Sequence, residues 1–381
     1  MAAAADWSSL HQDLLSRIFL LIACLADRVR ASAACKHWRR VALDDPPTLP
    51  WLLTPSTAGI SCYRIFGGLD HPRPSIPSEV HGARFCGSFP GGWFVAAQHD
   101  WRAHALLNLR PGERVPLPGR VRIPLYPIVL KCPIVIRVAA MSAPPSSGAC
   151  VVAALTSGPT TLAFWRPGMD CWSQPPMGIV VPHNAQDLTY HDGCFWAITP
   201  AENLVCYKPE INDGDAACLT IRHLVYKSHG HGHHQMTTTT PTAPGEAVSR
   251  YLLPSASGAD LLMVKRFVAP ARGGATLRFE VFSLHKQQDG RSASWRSYPM
   301  SGRLLFVGRS CSKAFDTGHA GSPGYIYFLD DVYPRGPLSV LQQKVYPCVD
   351  TGAWDCSRQE IKRCLPCSPP SDSSPCIWYL H

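Results

Sequence analysis

Four histidines, His229, His231, His233 and His234, crowd one short stretch of the chain, and neutral imidazoles at that spacing are ligands for zinc or nickel. Their surroundings are rich in glycine and threonine as far as Pro244. That composition reads as a disordered insertion over 228–246 between two strands, where a bound metal is adventitious. Near the C-terminus, Cys356, Cys364, Cys367 and Cys376 raise the same question. Only Cys364 and Cys367 have Cys-x-x-Cys ligand spacing, and the Ser-Pro-Pro-Ser-Asp-Ser-Ser run beside them reads as a loose tail. Asp330 and Asp331 form a carboxylate pair where an apolar run ends and a turn is expected. No nucleophile, base and orienting group cluster by spacing. No Gly-x-Ser-x-Gly elbow is present, and Gly67-Gly68, Gly91-Gly92 and Gly273-Gly274 read as turns and not as phosphate loops. The expectation is a chain without catalytic residues, metal or cofactor.

The elements around these residues fall into two parts. Between Gln12 and Leu25 the apolar positions Leu14, Leu15, Ile18, Phe19, Leu21, Ile22 and Leu25 repeat at helical spacing on two adjoining faces. A helix apolar on most sides must be covered on most sides. A module this small cannot supply all of that cover, so part of the surface is expected to meet another protein. Asp27 is placed to cap a second helix, along which Ala31, Ala34, Cys35, Trp38 and Val41 form one stripe. Asp44-Asp45-Pro46-Pro47 ends the pattern, because proline cannot continue a helix.

After Pro50 the helical period gives way to short apolar runs separated by turns. One group is 93–97, 105–109 and 115–118; a second is 150–155, 161–165 and 171–173; a third is 193–198 and 203–207. A fourth is 261–264, 278–282 and 294–296, and a fifth is 325–329 with 338–340. The gaps between group starts bracket the ~40–50-residue blade period of propellers. The near-continuous apolar runs suit strands covered on both faces, and radial stacking leaves few free edges. A β-propeller over 91–350 is the expected architecture. A β-sandwich or paired barrels are the alternatives, since regularly spaced short strands suit those as well.

The bulk numbers agree with a folded chain. Of 381 residues, 46% are hydrophobic and only 17% charged, which permits a sizeable core. The 36 prolines and 29 glycines favour many short elements over long helices. A net charge of +9 is spread without a basic stripe interleaved with aromatics, so no nucleic-acid partner is expected. The apolar run from Leu14 to Ala26 is broken by Ser16 and Arg17 and is too short to span a bilayer, so no membrane role is expected. Sixteen cysteines without a secretory leader read as reduced thiols of a cytoplasmic or nuclear protein.

The N-terminal residues Trp7, Leu10, Leu14, Leu15, Ile18, Phe19, Cys35, Lys36, Trp38 and Arg39 resemble the F-box pattern. His11 stands where that family usually has proline, which removes the pre-set turn that orients the first helix, and Ala34 stands where a bulkier aliphatic is common. The resemblance implies a three-helix module over 7–47 that docks on the Skp-type adaptor of a cullin ubiquitin ligase. It assigns adaptor contact to Leu10, Leu14, Leu15, Ile18, Phe19 and Ile22, and a structural role to Trp7, Cys35, Trp38 and Arg39.

Further along, Asp187–Trp196, Arg250–Leu253, Leu261–Arg266, Leu304–Ser312 and Tyr325–Asp331 resemble the plant F-box family that carries a KIB-type β-propeller. That resemblance implies a mainly β chain: the F-box module, a linker and propeller start over 48–90, the propeller, and a Cys/Ser/Pro-rich tail over 351–381. It also implies a substrate-recruiting subunit of a Skp-cullin-F-box ligase with an unassigned target protein. The alternatives are a propeller that binds protein or sugar outside ubiquitin transfer, and an enzyme with titratable groups at its channel mouth.

Overall fold

A computed structural model describes residues 7–21, 30–44, 49–56, 59–64, 76, 80–98, 103–109, 112–125, 127–157, 160–175, 185–211, 219–226, 243, 245–269, 274–287, 293–317, 322–331, 346–365 and 370–380. The histidine cluster, Cys367, Ile22 and the 338–340 run lie outside them. Among the described residues α1 (Gln12–Leu21) and α2 (Lys36–Asp44), with a 3-10 turn at Trp7–Ser9 and a further helical stretch at 30–32, precede six antiparallel-rich sheets arranged as the blades of a propeller.

Blade 1 joins the two ends of the chain. Trp51–Ser56 pairs with Gly59–Arg64 on one side and with Ile377–Tyr379 on the other. Blade 2 is Arg84–Phe89, Trp93–Gln98, Ala103–Asn108 and Arg114–Leu117. Blade 3 runs from Val135–Met141 through Val152–Ser157, Leu162–Trp165 and Trp172–Ser173, and is extended by the hairpin Arg120–Leu125/Ile128–Pro133. Blade 4 is Asp187–His191, Cys194–Ile198, Leu204–Ile211 and Leu219–Tyr226. Blade 5 is Ala247–Pro254, Leu261–Ala269, Ala275–Lys286 and Ala293–Ser297. Blade 6 is ordered Lys313–Asp316, Arg303–Val307, Tyr325–Phe328, Gly352–Asp355 and Glu360–Lys362.

The strands with the most apolar sequence are second or third in their blades, where neighbouring blades cover both faces. Val152–Ser157, Leu162–Trp165 and Tyr325–Phe328 are buried along their whole length. Apolar side chains from adjacent blades interdigitate in successive clusters. Trp93, Val95 and Trp172 join blades 2 and 3, Phe164 and Phe195 join blades 3 and 4, and Phe279, Phe328 and Trp354 join blades 5 and 6.

The innermost strands differ. They converge on the axis, where space is short and polar side chains must find partners. Gly87 shows the constraint: an added Cβ would sit 2.5 Å from the Ala139 carbonyl oxygen of the next blade. These strands also carry buried Arg84, Ser88, Asp187 and Ser249.

The segment 351–381, expected as a tail, is instead part of the propeller. Gly352–Asp355 is fully buried in blade 6, and Ile377–Tyr379 closes blade 1. Trp378 is 0% exposed, meets Phe306 edge-on at 5.1 Å and donates its indole N–H to the Val307 carbonyl at 3.0 Å. The physical reason is topological. A ring of blades has a seam, and pairing the last strand with the first two seals it. Asp330 and Asp331 are likewise structural and do not form an acid–base pair. Asp330 accepts the Val349 and Asp350 amides, and Asp331 accepts the Tyr251 hydroxyl at 2.7 Å and pairs with Arg266.

Candidate functional site

Three features outside the blade cores bear on function. The first is the helical module. His11 precedes α1, and its ring Nδ1 accepts the Asp13 amide at 3.3 Å, so a side-chain cap replaces the turn that a proline would set. Cys35 does the same for α2, its Sγ accepting the Trp38 amide at 3.4 Å. The single stripe from Ala31 to Val41 is therefore broken: 33–35 form a turn, and α2 begins afresh at Lys36.

Within this module Leu15 and Phe19 are buried against Val41 and Ala42, with Leu10, Ala31 and Trp38 packed around them. Both were expected on an adaptor-facing surface. They face inward because α2 lies across that stripe of α1, and Phe19 meets Trp38 edge-on at 5.9 Å. Leu14, one position away and on the other face, is 51% exposed, and Ile18 is half-buried. Trp7 is 63% exposed, although its carbonyl accepts the Trp38 indole N–H at 2.9 Å. Trp7 thus presents its ring outward while its backbone holds the module together. Arg39 lies on the exposed side of α2.

The second feature is the hairpin that extends blade 3. Leu125, Ile128, Val129 and Leu130 are 43%, 56%, 60% and 41% exposed. Ile128–Pro133 is the outermost strand of its sheet among the described residues, so its outer backbone edge has no strand partner there. At its base Asp170 bridges Arg122 and Lys131.

The third feature is the axis. The turn 308–312 enters the channel and is clamped by blades 2 and 4. The Ser310 amide donates to Asp187 Oδ1 at 3.0 Å, its hydroxyl to the Leu188 carbonyl at 3.0 Å, and its carbonyl accepts the Ser88 amide at 2.9 Å. Asp187 also accepts the Leu252 amide at 2.9 Å. Burial pushes the Asp187 carboxyl up to about 7, because these two amides and the nearby Arg309 only partly offset the loss of water.

Where the innermost strands of blades 2 to 5 come toward their ends, a cavity of about 180 Å³ opens on the axis. It is lined by residues of blades 2 to 6, among them Ser88, Thr189, Tyr190, Ser255 and Lys313, and by Leu380 beyond the closing strand. No Asp or Glu lines it among the described residues.

Two clusters of buried charge tie neighbouring blades together. Arg266, 0% exposed, bridges Asp331 at 3.2 Å and Asp350 at 2.8 Å and so ties blade 5 to the segments flanking blade 6. Glu202 takes Lys265 at 2.6 Å and Arg250 at 3.0 Å, joining the second turn of blade 4 to blade 5. Sequence spacing gave no signal for either cluster, since the cations and the carboxylates lie on different blades. Among the described residues no group of three or more His, Cys, Asp or Glu side chains is placed to hold a metal, and the cysteines are free thiols. No described helix is long and apolar enough to cross a membrane.

None of the curated proteins matches the chain. Solved structures with a related trace are distant. The N-terminal domain of Nup159 shares 10% identity over 86% of this chain and 74% of that one, with a TM-score of 0.36. Nidogen in complex with laminin gives 11% identity, 86% and 96% coverage and 0.34, and streptogramin B lyase gives 10%, 76% and 83%, and 0.31. Scores this low leave the architecture resting on the strand pairing described above. A family model matches as well: residues 68–355 fit the KIB1-4 beta-propeller. Both the strand order and that match lead to one conclusion: this chain is a member of the KIB1-4 beta-propeller family, folded as six blades.

Proposed function

We propose that the chain is a two-ended recruiter: its N-terminal helices dock on a Skp-type adaptor of a cullin ubiquitin ligase, and its propeller holds a target protein. One observation carries this reading. Of the seven large apolar side chains left exposed among the described residues, Trp7 and Leu14 lie on the helical module and Leu125, Ile128, Val129 and Leu130 on the propeller hairpin, with Val349 apart. Exposed apolar patches of this kind mark protein contacts, and a bridging subunit needs two of them. The F-box-like order of residues from Trp7 to Arg39 supports an adaptor as the first partner. The hairpin's outer edge and apolar tip support an extended segment of a target as the second.

Recruitment requires no chemistry from the chain itself. Holding the target beside a ubiquitin-loaded partner raises its effective concentration, to the millimolar range for short flexible links. The adaptor-facing set is narrower than the sequence implied. Leu14 and Trp7, with the partly exposed Ile18 and Leu10, form the face, while Leu15 and Phe19 are core.

Paired variants test this reading. Leu14→Asp should abolish co-purification of the adaptor and leave target binding intact. Val129→Asp should do the reverse. Retention of the adaptor by Leu14→Asp, with α1 still folded, refutes the first half. Unchanged target binding by Val129→Asp refutes the assignment of the hairpin.

A further inference from the structure

Among the described residues that line the axial cavity, half-buried Lys313 is the charged one, and its surroundings differ from those of four other cations of the propeller. Lys265, Arg266, Arg250 and Lys362 each sit on a carboxylate. Lys313 forms no ion pair with any described residue; its ammonium lies 5.6 Å from the centre of the Phe315 ring. Burial alone lowers its pKa, with no neighbouring carboxylate to oppose the shift. A partly desolvated cation without a counterion is a cost that a folded chain rarely carries unless something offsets it.

The surroundings specify what would offset it. The described cavity wall contains hydroxyls and no acid. The Ser88 oxygen already accepts the Leu380 amide, which leaves its proton available to a ligand. Thr189 and Tyr190 line the same wall from blade 4. The floor is the 308–312 turn, held by Asp187 and Ser88 and therefore preorganised. A volume of about 180 Å³ is well below the ~300–1,000 Å³ of pockets that enclose drug-sized ligands, so it suits one head group or one side chain.

We propose that this cavity is an anion-binding site, in which Lys313 holds a phosphate or carboxylate group at the centre of the propeller. The group arrives either on a free small molecule or at the tip of a bound peptide. In both cases a charge-assisted hydrogen bond from Lys313 supplies the main attraction. The site owes nothing to the helical module, and it stands whether or not the chain serves a ligase.

The test is calorimetric titration of the full-length chain at constant ionic strength with three probes: inorganic phosphate, glutarate, and a hexapeptide containing one phosphoserine. Saturable binding of at least one probe is expected. Lys313→Met should weaken it about tenfold or more, the size of one charge-assisted hydrogen bond, while Lys313→Arg should keep it within a few-fold. Binding of phosphate alone as tightly as the peptide assigns a free phosphate. Tighter binding of the peptide assigns a peptide-borne one, and binding of glutarate in preference to phosphate assigns a carboxylate. Absence of saturable binding by every probe overturns the proposal. So does equal binding by wild type and a folded Lys313→Met, or loss of binding in Lys313→Arg when that variant melts at the wild-type temperature.

Discussion

Replacing Trp378 by alanine probes the seam of the propeller. The indole is fully buried, stands edge-on to Phe306 at 5.1 Å, and donates to the Val307 carbonyl at 3.0 Å. Its backbone position pairs with Leu52, so the residue joins the chain's end both to its beginning and to blade 6. Removing a buried Trp costs about 3–5 kcal/mol through lost transfer energy and an unfilled cavity. Leaving the Val307 carbonyl without its donor adds about 1 kcal/mol or more. A total of about 4–6 kcal/mol is a large fraction of the ~5–15 kcal/mol that holds a protein folded. With a urea slope of about 3 kcal/mol/M, at the upper end for small proteins, the unfolding midpoint should fall by roughly 1.3–2 M. Equilibrium urea unfolding followed by tryptophan fluorescence and far-UV circular dichroism reads this directly. Leu130→Ala on the exposed hairpin is the control, expected within about 0.5 kcal/mol of wild type. If Trp378→Ala unfolds at the same urea concentration as that control, the C-terminal strand does not seal the ring and the reasoning fails.

Other outcomes follow from the same geometry. Glu202→Gln strips the carboxylate from Lys265 and Arg250 where all three are nearly buried, and should cost about 3–5 kcal/mol in urea unfolding; Asp170→Ala, at an exposed bridge, should leave the midpoint in place. Asp187 has its carboxyl pushed up to about 7 from an ordinary value of 3.8, so the folded state holds a proton that the unfolded state releases. Its contribution to stability is therefore complete below pH 3.8 and is lost as pH rises through about 7, and Asp187→Asn should flatten that part of the melting-temperature profile. A profile of unchanged slope in the variant would contradict the assignment. Gly87→Ala drives a methyl group to 2.5 Å from the Ala139 carbonyl and should destabilise by about 1–3 kcal/mol, read as a lower melting temperature.

The propeller was legible where strands are covered on both faces. Runs such as 150–155, 161–165 and 261–264 are apolar throughout because blades press on them from either side, and each proves to be a second or third strand. The innermost strands were not grouped into blades from their apolar pattern. Arg84–Phe89 and Asp187–His191 carry glycine, serine and charge, since the axis admits little bulk and demands hydrogen bonds. Blade 1 was hidden for a different reason. Its closing strand lies more than 300 residues from the other two, so no local period could join Leu52 to Trp378. In the helical module the periodicity located α1 correctly, but two apolar faces on one helix do not say which is turned inward. The crossing of α2 decides that, burying Leu15 and Phe19 and leaving Leu14 outside. Lys313 carried no sequence signal at all. Its interest lies in what surrounds it, and those residues come from five blades and the end of the last strand.

Direct calorimetry of the full-length chain against a purified Skp-type adaptor bears most closely on the recruiting role. The expected result is saturable one-to-one binding with a negative heat-capacity change, the mark of apolar burial, weakened at least tenfold by Leu14→Asp, about 1.4 kcal/mol or more. An absence of heat with the wild-type chain, or an affinity indifferent to the charge at position 14, contradicts it.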